Sequence, residues 1–181
     1  MRRWLAWPMG AALLFGAWLV AQVTPTEDAD EAPFVVPAVL GEEARGRSLT
    51  VTVTDVRLAE HVSAGGWAAE GVWLVVDLDA AATQEEDRTY LGGASLVIGG
   101  RTYRASERPA SLFQQPLLVG IPRAGSLAFE LPPGAVDEPA LLHLSGDWET
   151  RLDSLIELPL DLAALDLTES SELAETGWAR P

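Results

Sequence analysis

The side chains able to do chemistry in this chain are few and widely spaced. His61 and His143 are its only imidazoles. A serine nucleophile would need one of them as its base, with a carboxylate behind it. His61 follows Glu60 in a stretch that reads as a loop. His143 lies between Leu142 and Leu144, where strand alternation turns it toward solvent. No G-x-S-x-G elbow occurs, and Ser95 of Gly93-Ala94-Ser95 precedes a strand instead of following one. No catalytic residue is assigned, and no catalysis is expected.

The carboxylates offer a second chemistry. Asp77 and Asp79 share one face of a strand, and Glu85, Glu86 and Asp87 follow in a turn. Calcium takes about six to eight oxygen ligands, and clustered acids at a sheet edge can supply some. The spacing is not that of a D-x-D-x-D-G loop, since Ala81 and Thr83 occupy the alternate positions. The competing reading is that these acids cover the solvent face of a strand and a turn. No metal site and no cofactor are assigned.

Aromatic and cationic side chains offer a third, which is binding. Trp67 and Trp148 fall in glycine-rich stretches, and Trp178 ends an acidic run with several leucines. Tryptophans dominate interface hot spots, and they also plug the open ends of sandwiches. Trp67, Trp148 and Trp178 are therefore the candidate partner-binding residues. Arg101, Arg104, Arg108 and Arg123 form a local basic excess. They either pair with nearby carboxylates or mark an anion-facing patch.

Composition removes other classes. The 181 residues contain no Cys, no Lys and no Asn. Disulfides, thiolate zinc sites, iron–sulfur clusters, Schiff bases, P-loops and N-glycosylation sites are excluded on that ground. Twelve arginines against 27 Asp and Glu leave a formal charge of −15. Such a surface repels phosphates, so no nucleic-acid partner is expected.

The elements that must position these groups are mostly short strands. Ser48 to Leu58 alternates, with Leu49, Val51 and Val53 on one face and threonines on the other. Glu60 to Glu70 reads as a loop. In Gly71 to Ala81, Val72, Leu74, Val76 and Leu78 face one way, and Trp73, Val75, Asp77 and Asp79 the other. That pattern predicts a central strand covered on both faces at one end only. Gly99-Gly100 between Ser95–Ile98 and Arg101–Arg104 predicts a hairpin turn with positive φ at both glycines. Ser126–Leu131, Leu141–Ser145 and Ser154–Leu160 complete about seven strands. Pro159 implies an edge or the end of a ladder. Many short strands at this spacing predict an all-β, two-sheet antiparallel sandwich of immunoglobulin-like type over residues 47–160.

The flanks read differently. Residues 1–23 hold Arg2 and Arg3 followed by an uncharged run from Trp4 to Val23, which predicts a transmembrane signal-anchor or a signal peptide. The arginines keep the N-terminus cytoplasmic and send the rest outside. Leu19 fits a cleavage site poorly. Residues 24–46 read as an acidic, proline-containing linker, with Phe34-Val35-Val36 as an alternative first strand. Residues 161–181 read as an acidic tail, disordered or docked on a partner through Trp178 and its leucines.

The order of segments carries a resemblance. Ser48-Leu49-Thr50-Val51-Thr52-Val53, then Gly71 to Leu78, then Gly100 to Tyr103, and above all Gly120 to Pro132 are its residues. Together they resemble the bacterial extracytoplasmic immunoglobulin-like domains of unknown function. That group follows a signal or anchor segment and is similar in fold to a secreted mycobacterial antigen. The resemblance implies a fold and a compartment, and brings no catalytic residues.

The function expected is a membrane-anchored extracytoplasmic binding or accessory module. Its partners would be the membrane, through the N-terminal helix, and an unknown protein or envelope ligand. The alternatives are a cleaved, secreted antigen-like structural protein and a hydrolase with an unrecognised site. An uncovered pocket lined by His and Ser would favour the hydrolase.

Overall fold

The computed structural model describes residues 6–23, 32–84 and 89–179. It divides the chain into an N-terminal unit, residues 1–32, and a β unit, residues 33–181. The N-terminal unit holds helix α1, Ala6–Val23. Eighteen residues at ~1.5 Å each reach about 27 Å, short of a ~30 Å hydrocarbon core. Among the described residues, no helix is long and apolar enough to cross a membrane. The helix lies where the sequence predicts one, but two residues of the expected span, Trp4 and Leu5, fall outside the described residues.

The β unit is an immunoglobulin-like sandwich of two sheets. The first sheet runs β1 (Phe34–Pro37), β9 (Ser154–Asp161), β8 (Pro139–Ser145), β5 (Gly93–Ile98), β6 (Arg101–Arg104). The second runs β10 (Leu167–Glu172), β3 (Leu49–Ala64), β4 (Trp67–Ala82), β7 (Arg123–Leu131), β11 (Gly177–Trp178). Strand β2 (Glu43–Arg45) pairs antiparallel with Thr50–Thr52 at the start of β3. The central pairings are antiparallel, whereas β1 joins β9 and β10 joins β3 in parallel.

Alternation builds the core as predicted. Leu49, Val51 and Val53 of β3 and Leu74, Val76 and Leu78 of β4 point between the sheets. Leu127 and Phe129 of β7, Leu96 of β5, Leu142 and Leu144 of β8, and Ile156 and Leu158 of β9 meet them there. Gly99 and Gly100 turn with φ of 54° and 75°, the two positive angles a two-residue hairpin of this twist requires. Pro159 sits where β1 no longer covers β9, since that pairing ends at Pro37 and Glu157. Its missing N–H therefore costs no ladder bond.

Strand β4 is covered on both faces from Trp73 to Val76, and again at Ala80–Ala82, where the sequence predicts cover at one end only. Trp73 and Val75 turn outward into a second buried cluster with Ala59, Val62, Ala64, Ala128 and Leu173. Asp77 and Asp79, further along the same face, are half-buried.

Three expectations are corrected. The linker is shorter than 24–46, because β1 and β2 are strands of the sandwich; backbone pairing to β9 and β3 holds them, a contact that local composition does not show. The tail 161–181 is ordered over its described part. Leu162 and Leu173 are buried, β10 extends the second sheet at one edge, and β11 adds to it at the other. Glu60 to Glu70 is no loop: β3 runs to Ala64, turns at Gly65-Gly66 and returns as β4.

Candidate functional site

The long β3–β4 hairpin bends sharply, and the bend makes a cleft. Ala59 pairs with Trp73 and His61 pairs with Glu70, so Glu60 alone opposes both Gly71 and Val72. One strand carries an extra residue, the mark of a bulge, and Gly71 takes φ of 135° to accommodate it. The distal hairpin folds back over the outer face, so that Trp67 meets Trp73 edge to face.

Beside this elbow lies a cleft of about 780 Å³. Glu60, His61 and Glu70 stand on the elbow side, and Glu130 stands opposite, at the end of β7. Val72, Leu131, Pro132 and Pro133 give it apolar walls. His61 Nδ1 lies 2.9 Å from the backbone oxygen of Glu169. A carbonyl only accepts, so Nδ1 carries the hydrogen and donates it. Nε2 then faces a carboxylate oxygen of Glu70 at 3.8 Å. Glu130 is also bonded by Arg108. Arg108 thus holds Glu130, and the cleft offers Glu60, Glu70 and one imidazole beside apolar walls, which suits a ligand with both positive charge and hydrocarbon. Among the described residues, no group of three or more potential ligands is placed to hold a metal ion.

A smaller hollow of about 370 Å³ lies on the other side of the His61–Glu70 pair. Ser63, Ser170 and Ser171 share its walls with those two residues. This hollow is lined by His and Ser, so the hydrolase reading must be met here. In register, His61 stands between Ser170 on β10 and Glu70 on β4. His143 likewise stands between Ser95 on β5 and Glu157 on β9, with Nε2 2.9 Å from a Glu157 oxygen. Both histidines thus lie in Glu–His–Ser rows across three strands, which the sequence separation of these residues conceals. His143 is half-buried and paired, not turned freely to solvent as its flanking leucines suggest.

The rows do not amount to a triad in their geometry. His61 Nδ1 is engaged by a carbonyl and its Nε2 faces Glu70, so the ring's two nitrogens are turned to groups other than Ser170. Ser95 lies mid-sheet with β8 and β6 on either side. Backbone N–H groups in such a ladder are committed to neighbouring strands and are not free to hold an oxyanion.

Of the acids proposed for calcium, Asp77 is held by its own partners. Asp77 receives Arg57 Nη1 at 2.5 Å and the Ser126 hydroxyl. Burial lowers the pKa of Arg57, but Asp77 and then Asp55, by hydrogen bond and charge, more than offset it; the net shift is upward. A charge so held by a cation is not available to a second one. Glu85, Glu86 and Asp87 lie outside the described residues.

Each candidate tryptophan meets an arginine. The Arg104 guanidinium lies 3.6 Å from the Trp148 ring centre, Arg123 lies 5.5 Å from Trp178, and Arg108 lies 5.8 Å from Trp67 and 5.2 Å from Trp73. Three of the four arginines singled out from the sequence therefore stack on aromatic faces. Of these, Arg108 also has the expected carboxylate, Glu130. Arg101 lies exposed on β6. Trp67 is half-buried and closes the outer cluster, not an open end of the sandwich. Trp148 and Trp178 remain 44% and 54% exposed, so neither is a plug.

No family model and no curated protein matches the chain. Two solved structures are similar. One is an uncharacterised β-sandwich protein from Clostridium difficile 630, with TM-score 0.49 and 13% identity, covering 74% of this chain and 99% of the other. The second is the yjhA protein from Bacillus subtilis, with TM-score 0.46 and 18% identity, covering 66% and 97%.

Proposed function

We propose that the chain is a binding module that takes a positively charged, partly apolar segment in the elbow cleft. The observation that supports this reading is the placement of Glu60 and Glu70 beside the walls formed by Val72, Leu131, Pro132 and Pro133. Opposed charge speeds encounter and selects the partner, while apolar wall area supplies affinity. The domain would act outside the membrane, carried on its N-terminal segment. Support for that compartment comes from Arg2 and Arg3 before the apolar run, the acids after it, and the resemblance to extracytoplasmic domains.

Titration of the full chain with a peptide of Arg, Pro and Leu, followed by tryptophan fluorescence, tests the ligand class. Removing two rim charges in Glu60→Gln/Glu70→Gln is expected to weaken binding about tenfold, at up to ~1 kcal/mol each. Equal affinity in the variant would remove the cleft from consideration. The mass of the native protein in membrane and medium fractions tests the compartment. An intact chain in the membrane supports the anchor. A chain lacking about the first 21 residues in the medium makes the protein a secreted one.

A further inference from the structure

We propose that the turn at residues 118–121, with Trp178 beside it, docks the sandwich onto the surface of a lipid bilayer. The inference rests on the reading that residues 1–23 stay in the chain as a membrane anchor. It does not involve the elbow cleft.

The turn is apolar and faces outward. Leu118 bridges Ile121, and Gly120 closes the two-residue turn with φ of 67°. Leu118, Val119 and Ile121 are exposed. Trp178 is exposed beside them, since it pairs with Arg123 and Ala179 N donates to Pro122 O at 2.9 Å. The Arg123 guanidinium lies 5.5 Å from its ring centre. Three aliphatic side chains, an indole and a guanidinium thus share one small surface. Single exposed apolar residues are ordinary on a protein, but a contiguous group marks a contact.

Two observations select lipid as that contact. The first is charge. No acid falls between Glu107 and Glu130, although the chain carries 27. Negatively charged headgroups repel carboxylates, so an acidic chain approaches them through an acid-free stretch. A neighbouring hollow holds Asp147, Glu149 and Asp153 with Arg47 and Arg151, so the turn, not the hollow, makes the contact. The second is the backbone. Leu118 O accepts from Ala82 N, and Gly120 N donates to Ala82 O, both at 3.1 Å. With these peptide groups paired inside the protein, the side chains can leave water without stranding them. Trp178 and Arg123 suit the headgroup layer, and the aliphatic tips suit the acyl boundary below it.

The point where the chain enters the sandwich completes the argument. Phe34 pairs with Ser154, whose Oγ accepts from Arg47 N at 2.7 Å. Leu49 then pairs with Ala82, and Ala82 bridges Val119. Phe34 and the turn therefore lie at the same end of the sandwich. Residues 24–33 join Phe34 to the apolar segment and can span about 35 Å at most. On the anchor reading, the end that carries the turn is the tethered end. Tethering raises the effective concentration of the bilayer at this surface, so a weak contact suffices. A stable interface with a free protein takes about 20–30 residues a side, far more than this group of side chains.

The test uses the full chain in vesicles of phosphatidylcholine and phosphatidylglycerol. The chain has no cysteine, so Val119→Cys takes a single fluorophore. Asp137→Cys takes the same label as a control, because Asp137 is exposed and lies past the opposite end of β7. Lipids with a nitroxide high in the acyl chain are expected to quench the label at 119 at least about threefold more than that at 137, as burial at the headgroup boundary requires. Adding Ile121→Glu is expected to remove the difference while the chain still resists carbonate extraction. A carbonate-resistant chain whose label at 119 stays open to aqueous iodide would overturn the docking and leave the anchor standing. A label shielded from both iodide and nitroxide would mean that a protein covers the turn, which also overturns it. A chain washed from the vesicles by carbonate would remove the anchor reading, and the docking with it.

Discussion

The rings of Trp67 and Trp73 lie 5.7 Å apart at 85°, although both belong to strand β4 and six positions separate them. A straight strand would place their backbones about 20 Å apart. The contact exists because the hairpin folds back at the bulge of Gly71 and Val72, opposite Glu60. The same bend borders the acidic cleft and closes the outer cluster. Much of the distinctive surface of this sandwich follows from one elbow.

Gly71→Val is expected to lower stability by about 1–3 kcal/mol, because a β-branched residue at φ of 135° is strained. The nearest atom to the new Cβ is Trp73 Nε1 at 3.4 Å, so crowding adds little. Chemical denaturation reads the loss. Near-ultraviolet circular dichroism should lose the signal of the coupled Trp67–Trp73 rings. An unchanged spectrum and midpoint would mean that the elbow does not need glycine.

Arg57→Leu is expected to cost about 1–2 kcal/mol, allowing for the partial exposure of the pair, with Arg57 and Asp77 each 24% exposed. It leaves Asp77 with the Ser126 hydroxyl but without its cation, and it removes two ties to β10, at Ser171 and Glu172. Arg57→Lys should recover only part of the loss, since one ammonium cannot reproduce the guanidinium's spread of bonds. Full recovery by Lys would show that charge alone matters at this position.

Millimolar calcium is expected to leave the melting temperature unchanged. Asp77 is already neutralised by Arg57, and a bound cation would have to displace it. A rise of several degrees would point instead to a site that includes the acidic side chains of residues 85–87.

A fluorophosphonate probe is expected to leave every serine unlabelled. Neither Ser95 nor Ser170 receives an imidazole in a geometry that activates its hydroxyl, although each faces a histidine in register. Covalent labelling detected by mass spectrometry, at either residue, would restore the hydrolase alternative.

The sandwich itself is legible in the sequence, because its central strands carry their own evidence. Leu49, Val51 and Val53 alternate with threonines, and Gly99-Gly100 supplies the turn angles. Even the two-sided burial of β4 shows in Trp73 and Val75 giving way to Asp77 and Asp79. Such features are local: side-chain period and φ preference act within a few residues. Strand β10 is of another kind. Leu167-Thr168-Glu169-Ser170-Ser171-Glu172 has neither alternation nor β-branched density, and it becomes a strand only because the β3 edge offers backbone partners. Backbone pairing is blind to side chains, so it leaves no mark in composition. The short strand β2 is obscured in the same way, by the acids around it, whereas Phe34-Val35-Val36 of β1 shows in the sequence as an alternative first strand. The cleft is more distant still from what a sequence can display. His61, Glu70 and Glu130 share a cleft through a bulge, a bend and a strand pairing, and Glu169 reaches His61 from more than 100 positions away. The chain by itself determined a β-sandwich, an apolar N-terminal run and an acidic composition. The tertiary structure decided which charges meet, because long-range strand pairing and the turn at Gly71 bring together residues that local physics keeps apart.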